Sequence, residues 1–157
     1  MTVTAGMITT RVRDADAADY PAWRRLWDQY LASLGATVAE EVTLTTWSRI
    51  VDRTRRDLFA RLAEREGQVV GFAVCVLHPG TWTPDPLCYL EDLCVDAGVR
   101  GSGVGRALIE DLLALAKDRG WSRLYWHTGA GNAAARRLYD RFVPVDDVVR
   151  YRIYLSR

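Results

Sequence analysis

Arg100-Gly101-Ser102-Gly103-Val104-Gly105 stands between an apolar run, Leu87 to Val95, and an amphipathic stretch over 103–119. Glycine tolerates positive φ and lets a ligand come close to the main chain. The first N–H groups of a helix have no intrahelical acceptor and favour an anion. The hexamer therefore reads as a diphosphate cradle. A dinucleotide fingerprint would need G-x-G-x-x-G after the first strand, but Arg106 takes the third place and the run lies late in the chain. A P-loop would need Lys followed by Ser or Thr, and no such pair is present. A glycine-rich turn with no ligand would carry the entropic cost of three glycines for nothing.

Working outward, Val104, Leu108, Leu112 and Leu115 form one face of the following helix, and Gly120 stops it. Upstream, Leu58 to Ala63 and Val69 to Leu77 read as strands turned at Glu66-Gly67. Thr9 to Arg13 reads as a strand, and Asp19 to Leu34 and Thr43 to Arg53 as helices. Downstream come a strand over Ser122 to Thr128, a helix over Asn132 to Arg141 and a strand over Val148 to Leu155. The order β-α-α-β-β-β-α-β-α-β implies an α/β fold whose mixed sheet carries helices on both faces.

A chain of 157 residues with 49% apolar and 26% charged composition suits one domain, 1–157. The net charge of +1 gives no field that would point to nucleic acid or an anionic membrane. Cys75, Cys88 and Cys94 are odd in number and form no C-x-x-C, which argues for a reducing compartment and against a zinc site. With only His78 and His127 besides, no metal centre is expected. No leader pattern or membrane-length apolar run is read, so a cytoplasmic protein is expected.

Arg100-x-x-Gly103-x-Gly105 resembles the R/Q-x-x-G-x-G/A motif of the GCN5-related N-acetyltransferase (GNAT) family. Tyr89 to Val95 resembles that family's fourth strand. Tyr125-Trp126-His127-Thr128, Asn132 and Arg137-Leu138-Tyr139-Asp140 resemble its fifth strand and fourth helix. The likeness spans most of 9–155, and within the family it looks closest to the diamine/polyamine and small histone/polyamine acetyltransferases. It implies a central mixed, mostly antiparallel sheet of about six to seven strands with about four helices on its two faces. It implies acetyl-CoA as acetyl donor, with Arg100, Gly101, Ser102, Gly103, Val104 and Gly105 at the pyrophosphate. Leu93, Cys94, Val95 and Asn132 would meet the pantetheine arm, and Tyr139 would stand near the thioester sulfur. Arg141 to Asp147 departs from the family's glycine-containing turn.

An aliphatic amine with a pKa near ~10.4 must lose a proton before it attacks, a cost of roughly 4–5 kcal/mol at neutral pH. A carboxylate in reach is the expected device. Glu91 is the candidate base, because it sits with Asp92 in an otherwise apolar strand where alternate side chains face opposite ways. Asp92 is read as the structural member of the two. Tyr139 is the candidate acid for the departing thiolate. Asn132 doubles as a helix cap. Cys94 invites an acyl-cysteine step, but nothing couples it to a histidine, and direct transfer is favoured.

Trp27, Tyr30, Glu40 and Trp82, with Glu41 and Trp47, fall in regions that line the acceptor cleft of the family. Aromatic faces and carboxylates suit a cationic amine. Core packing and a solvated helix start are the equal alternative. The expected activity is acetyl transfer from acetyl-CoA to a primary amine, of a small polyamine-like or amino-acid-like molecule. A protein or peptide lysine acetyltransferase and a non-catalytic acyl-CoA sensor are the alternatives. A homodimer is compatible with the resemblance, though no residue demonstrates it.

Overall fold

The computed structural model describes residues 8–155. In chain order they form β1 (Arg11–Asp14), α1 (Tyr20–Ser33), α2 (Glu40–Val51), β2 (Leu58–Arg65), β3 (Gln68–His78), β4 (Leu87–Val95), α3 (Val104–Arg119), β5 (Arg123–Tyr125) and α4 (Ala133–Tyr139). The chain divides into two compact units, Met1–His127 and Thr128–Arg157.

In the first unit the strands form one five-stranded sheet in the order β1-β2-β3-β4-β5. The first three pairings are antiparallel, and β4 pairs with β5 in parallel. The β2–β3 turn is where the sequence puts it. Glu66 and Gly67 take φ of +49° and +76°, the two left-handed positions of a type I′ hairpin. Ahead of α1, Asp16 accepts from the Ala18 N–H while Asp19 accepts from the Asp16 N–H, a capping box that fixes the chain's entry.

Strand alternation separates two cores. On one face Trp23, Leu26 and Trp27 of α1 and Trp47 and Ile50 of α2 cover Ala60, Leu62, Phe72 and Val74. On the other, Val104, Leu108 and Leu112 of α3, with Trp121, cover Ala63, Ala73, Cys75, Cys88 and Leu90. The start of α3 lies close on β3: a Cβ at Gly71 would come within 2.9 Å of Val104 Cγ1 and 3.0 Å of the Cys94 carbonyl. Gly71 thus sets the height of that helix terminus above the sheet.

Three expectations are corrected. The sheet has five strands among the described residues, not six or seven. The fifth covers only Arg123–Tyr125 rather than Ser122 to Thr128, and Val148 to Leu155 joins no ladder. Val148, Val149, Tyr151, Ile153, Tyr154 and Leu155 are exposed there. Alternating β-branched and aromatic residues favour extended backbone, but a strand also needs an edge to pair with. No helix among the described residues is long and apolar enough to cross a membrane.

Candidate active site

β4 carries the site because its pairing is irregular. The ladder with β3 passes from Val74↔Asp92 to Cys75↔Leu90, so Glu91 is an extra residue in a β-bulge. The bulge reverses the facing of the strand. Cys88 and Leu90 pack under α3, whereas Cys94, four residues beyond Leu90, packs under α1. Two residues earlier the parallel ladder ends at Tyr89↔Tyr125. From Leu90 to Val95 the β4 main chain has no strand partner on that side among the described residues, and its N–H and C=O groups there suit an amide-bearing arm laid alongside. Leu93, Cys94 and Val95 all lie on this stretch.

The strand then leads into the cradle. Asp96 accepts from the Gly98 N–H at 2.9 Å, and Arg25 of α1 bonds to its carboxylate. Gln29 accepts from the Ala97 N–H, which ties the turn to α1 a second time. Arg100 Nε donates to the Val95 carbonyl at 3.3 Å. Gly101 and Gly103 take φ of +75° and +89°, and a Cβ on either would meet nothing within 4 Å. That open space lies over a helix start whose Gly103, Val104 and Gly105 N–H groups donate no bond among the described residues. Donors without acceptors beneath vacant glycine positions are what a diphosphate requires, so the residues fit the cofactor.

The two carboxylates of the bulge differ. Glu91 is exposed, and Asp92 is largely buried. Burial, then the neighbouring Glu91 charge, pushes the Asp92 carboxyl up to about 6, while a hydrogen bond from Tyr30 opposes the rise. Burial also pushes the Cys94 thiol up to about 11, and its S–H points at the Leu26 carbonyl.

The residues expected on the acceptor side separate. Tyr30 of α1 reaches Asp92. Trp27 is only 7% exposed, stacks on Trp23 at 5.2 Å and donates its indole N–H to Thr43 at 3.2 Å. It is a core residue rather than a cleft wall, and Trp47 shares that core. Glu40 lies in the first turn of α2, where Arg24 grips it at 2.6 and 2.8 Å. Trp82, in the β3–β4 loop, is 93% exposed.

Two imidazole–phenol pairs escaped the sequence reading. His78 Nε2 shares a hydrogen bond of 2.6 Å with the Tyr125 hydroxyl, and His127 Nδ1 one of 3.2 Å with that of Tyr89. The Tyr89 and Tyr125 rings stack at 5.2 Å. The available signal was alternation: residues 125 and 127 share a face, opposite 89 on the neighbouring strand.

In the second unit Asn132 caps α4, its Oδ1 accepting from the Ala135 N–H at 3.2 Å. Tyr139 ends that helix half-buried, and desolvation raises its hydroxyl above the ordinary phenol value. It is therefore fully protonated near neutrality.

Comparison with known proteins gives this geometry its context. The model of the Acetyltransferase (GNAT) family matches residues 14–142. The chain is 33% identical over 143 residues to the D-amino-acid N-acetyltransferase HPA3 of Saccharomyces cerevisiae, covering 90% of this chain and 88% of that protein. A mycothiol acetyltransferase of Cellulomonas flavigena is 38% identical over 85 residues, 51% of this chain and 24% of its own length. Among solved structures, the aminoglycoside N-acetyltransferase AAC(6')-Iy in complex with CoA superposes with a TM-score of 0.79 at 20% identity, over 98% of this chain and 100% of that one. The ribosomal-protein-alanine N-acetyltransferase of Brucella melitensis gives 0.79 at 22% identity, over 94% and 100%. At such identities the two structures speak for the fold alone. The chain belongs to the acetyltransferase (GNAT) family and is an N-acetyltransferase that takes its acetyl group from acetyl-CoA.

Proposed function

We propose that the enzyme transfers the acetyl group directly to the primary amine of a small amino-acid-like or polyamine-like molecule. The observation that carries this reading is the Glu91–Asp92 pair at the bulge, just past Tyr89, where the β4–β5 ladder ends. The 33% identity to a D-amino-acid acetyltransferase favours the amino-acid-like acceptor.

The thioester of acetyl-CoA supplies the activated acetyl group. The N–H groups of Gly101 to Gly105 would hold the pyrophosphate, with Arg100 supporting the loop, and the β4 edge at Leu93 to Val95 would hold the arm. Sequence alone favoured Glu91 as base, and the burial of Asp92 supports Asp92 in that role instead. A carboxylate of pKa about 6 is mostly ionised at pH 7 yet basic enough to take a proton from an ammonium in its reach. Glu91, open to solvent, adds negative charge that draws a cation towards the pair. Tyr139 keeps its proton at neutral pH, and the family resemblance makes it the candidate that would protonate the departing sulfur. The Cys94 thiol, raised to about 11 and with its S–H directed at a main-chain carbonyl, argues against a cysteine nucleophile and supports direct transfer.

Thiol release from acetyl-CoA tests the proposal across D- and L-amino acids, spermidine, an aminoglycoside and a lysine peptide. Release with the amino acids or spermidine is expected. Release with the lysine peptide alone would overturn the small-molecule acceptor, and CoA binding without release on any amine would favour an acyl-CoA sensor.

A further inference from the structure

Ser102 sits between the two left-handed glycines of the cradle, and one side chain from another strand holds it. Arg65, the last residue of β2, donates from Nη1 to Ser102 Oγ at 2.9 Å and from Nη2 to the Ser102 carbonyl at 2.6 Å. Its Nε donates to Thr10 Oγ1 at 2.7 Å, so all three guanidinium nitrogens are engaged. The Ser102 hydroxyl in turn donates to the Val99 carbonyl. The main chain of Arg65 is fixed, because it pairs with Gln68 across the tight Glu66-Gly67 turn.

We infer that Arg65 is a positioning residue for acetyl-CoA, orienting the Ser102–Gly103 peptide so that the Gly103 N–H faces the diphosphate. The reason is the planarity of the peptide. No cis peptide bond occurs among the described residues, and in a trans peptide the C=O of one residue and the N–H of the next point in opposite directions. Fixing the Ser102 carbonyl on Arg65 therefore aims the Gly103 N–H away from β2, into the open space above Gly101 and Gly103. Gly103, free of the steric limits of a Cβ, would otherwise ease rotation of this peptide. A preformed donor set binds its anion without an ordering cost at the moment of binding. The inference rests on the reading of residues 101–105 as the cofactor cradle.

The test begins with calorimetry of CoA on the unmodified enzyme, then on Arg65→Met, Arg65→Lys and Ser102→Ala, with steady-state kinetics of each. Arg65→Met is expected to raise both the CoA Kd and the KM for acetyl-CoA by about 10- to 30-fold, with kcat at saturation and the KM for the amine within about twofold. Lysine keeps the charge but cannot fork to three acceptors, so Arg65→Lys should recover little of the loss. Ser102→Ala keeps the main-chain bond and should cost only about two- to threefold. No CoA binding by the unmodified enzyme would overturn the cradle itself. Normal binding by that enzyme with unchanged affinity in Arg65→Met would overturn the positioning role alone. Full recovery with lysine would reduce Arg65 to a nearby charge, and a fall in kcat with unchanged KM would make it merely structural.

Discussion

The donor side and the acceptor side of this enzyme are built from different materials. The cradle is made of main chain: N–H groups at a helix start, glycines in left-handed conformations and an unpaired strand edge. The proposed acceptor side is made of side chains, with Asp92 of β4 bonded by Tyr30 of α1 and flanked by the charge of Glu91. Main-chain N–H groups donate to the same phosphate whatever lies elsewhere, so one pattern serves any acceptor. Side chains must be brought together from distant positions, and small shifts of exposure decide which of them acts.

The largest expected effect attacks the main-chain side. Gly103→Val places a β-branched residue at φ +89° and puts its side chain in the space left for the diphosphate. Measured by calorimetry and kinetics, CoA affinity and kcat/KM for acetyl-CoA should fall by about 1,000-fold or more. A loss below tenfold would mean the cradle is not where the donor is held.

The next effect attacks the side-chain side. Asp92→Asn should lower kcat by about 100- to 1,000-fold and abolish the acid limb of the rate profile near pH 6. The neighbours move that limb in opposite directions. Glu91→Gln removes a like charge, lowers the Asp92 pKa and shifts the limb down. Tyr30→Phe removes a bond to the carboxylate, raises the pKa and shifts the limb up. Activity abolished in Glu91→Gln and kept in Asp92→Asn would return the base to Glu91. Stability changes with the opposite sign. The folded state binds the Asp92 proton more tightly than the unfolded chain, so stability is lost as pH rises from the ordinary carboxylate value of 3.8 to about 6. Asn carries no such burden, and Asp92→Asn should gain up to ~3 kcal/mol at pH 7, read as a higher Tm. A variant that is inactive and more stable at once would mark a group kept for chemistry.

Tyr139→Phe comes third. Loss of the proton donor should cost about 10- to 100-fold in kcat and leave the CoA Kd within about twofold. Equal losses in binding and turnover would assign the ring to packing at the end of α4.

How much could be read from the chain follows the same division. The glycine turn into α3, the limits of β4 and the Glu66-Gly67 turn were legible because glycine spacing is local and fixes backbone directly. The bulge was legible only in retrospect. Under α3 the apolar positions of β4 run 88, 90, 93, 95, and the step of three from Leu90 to Leu93 is the inserted residue. Simple alternation set Glu91 and Asp92 on opposite faces but could not say which of them burial would perturb. Trp23, Trp27 and Trp47 recur at helical spacing in either reading, and packing made them core. Arg65 gave no signal, because its partner lies 37 residues away. The strand expected over Val148 to Leu155 had the right residues, and pattern alone does not supply a partner edge.

The smallest effect concerns the outer limit of the acceptor side. Glu40 is exposed, and its carboxylate is already held by both contacts from Arg24, which keep it ionised below the ordinary glutamate range. A cationic amine could use it only by displacing a guanidinium whose planar fork fits a carboxylate better than an ammonium does. Glu40→Gln should therefore leave the KM for the amine within about twofold and kcat unchanged, as expected for a surface ion pair. If the amine KM instead rose about tenfold while the KM for acetyl-CoA stayed put, Glu40 would have to release Arg24 to the solvent when substrate binds. The acceptor side would then begin at the first turn of α2, one helix further out than Asp92 and Tyr30 put it.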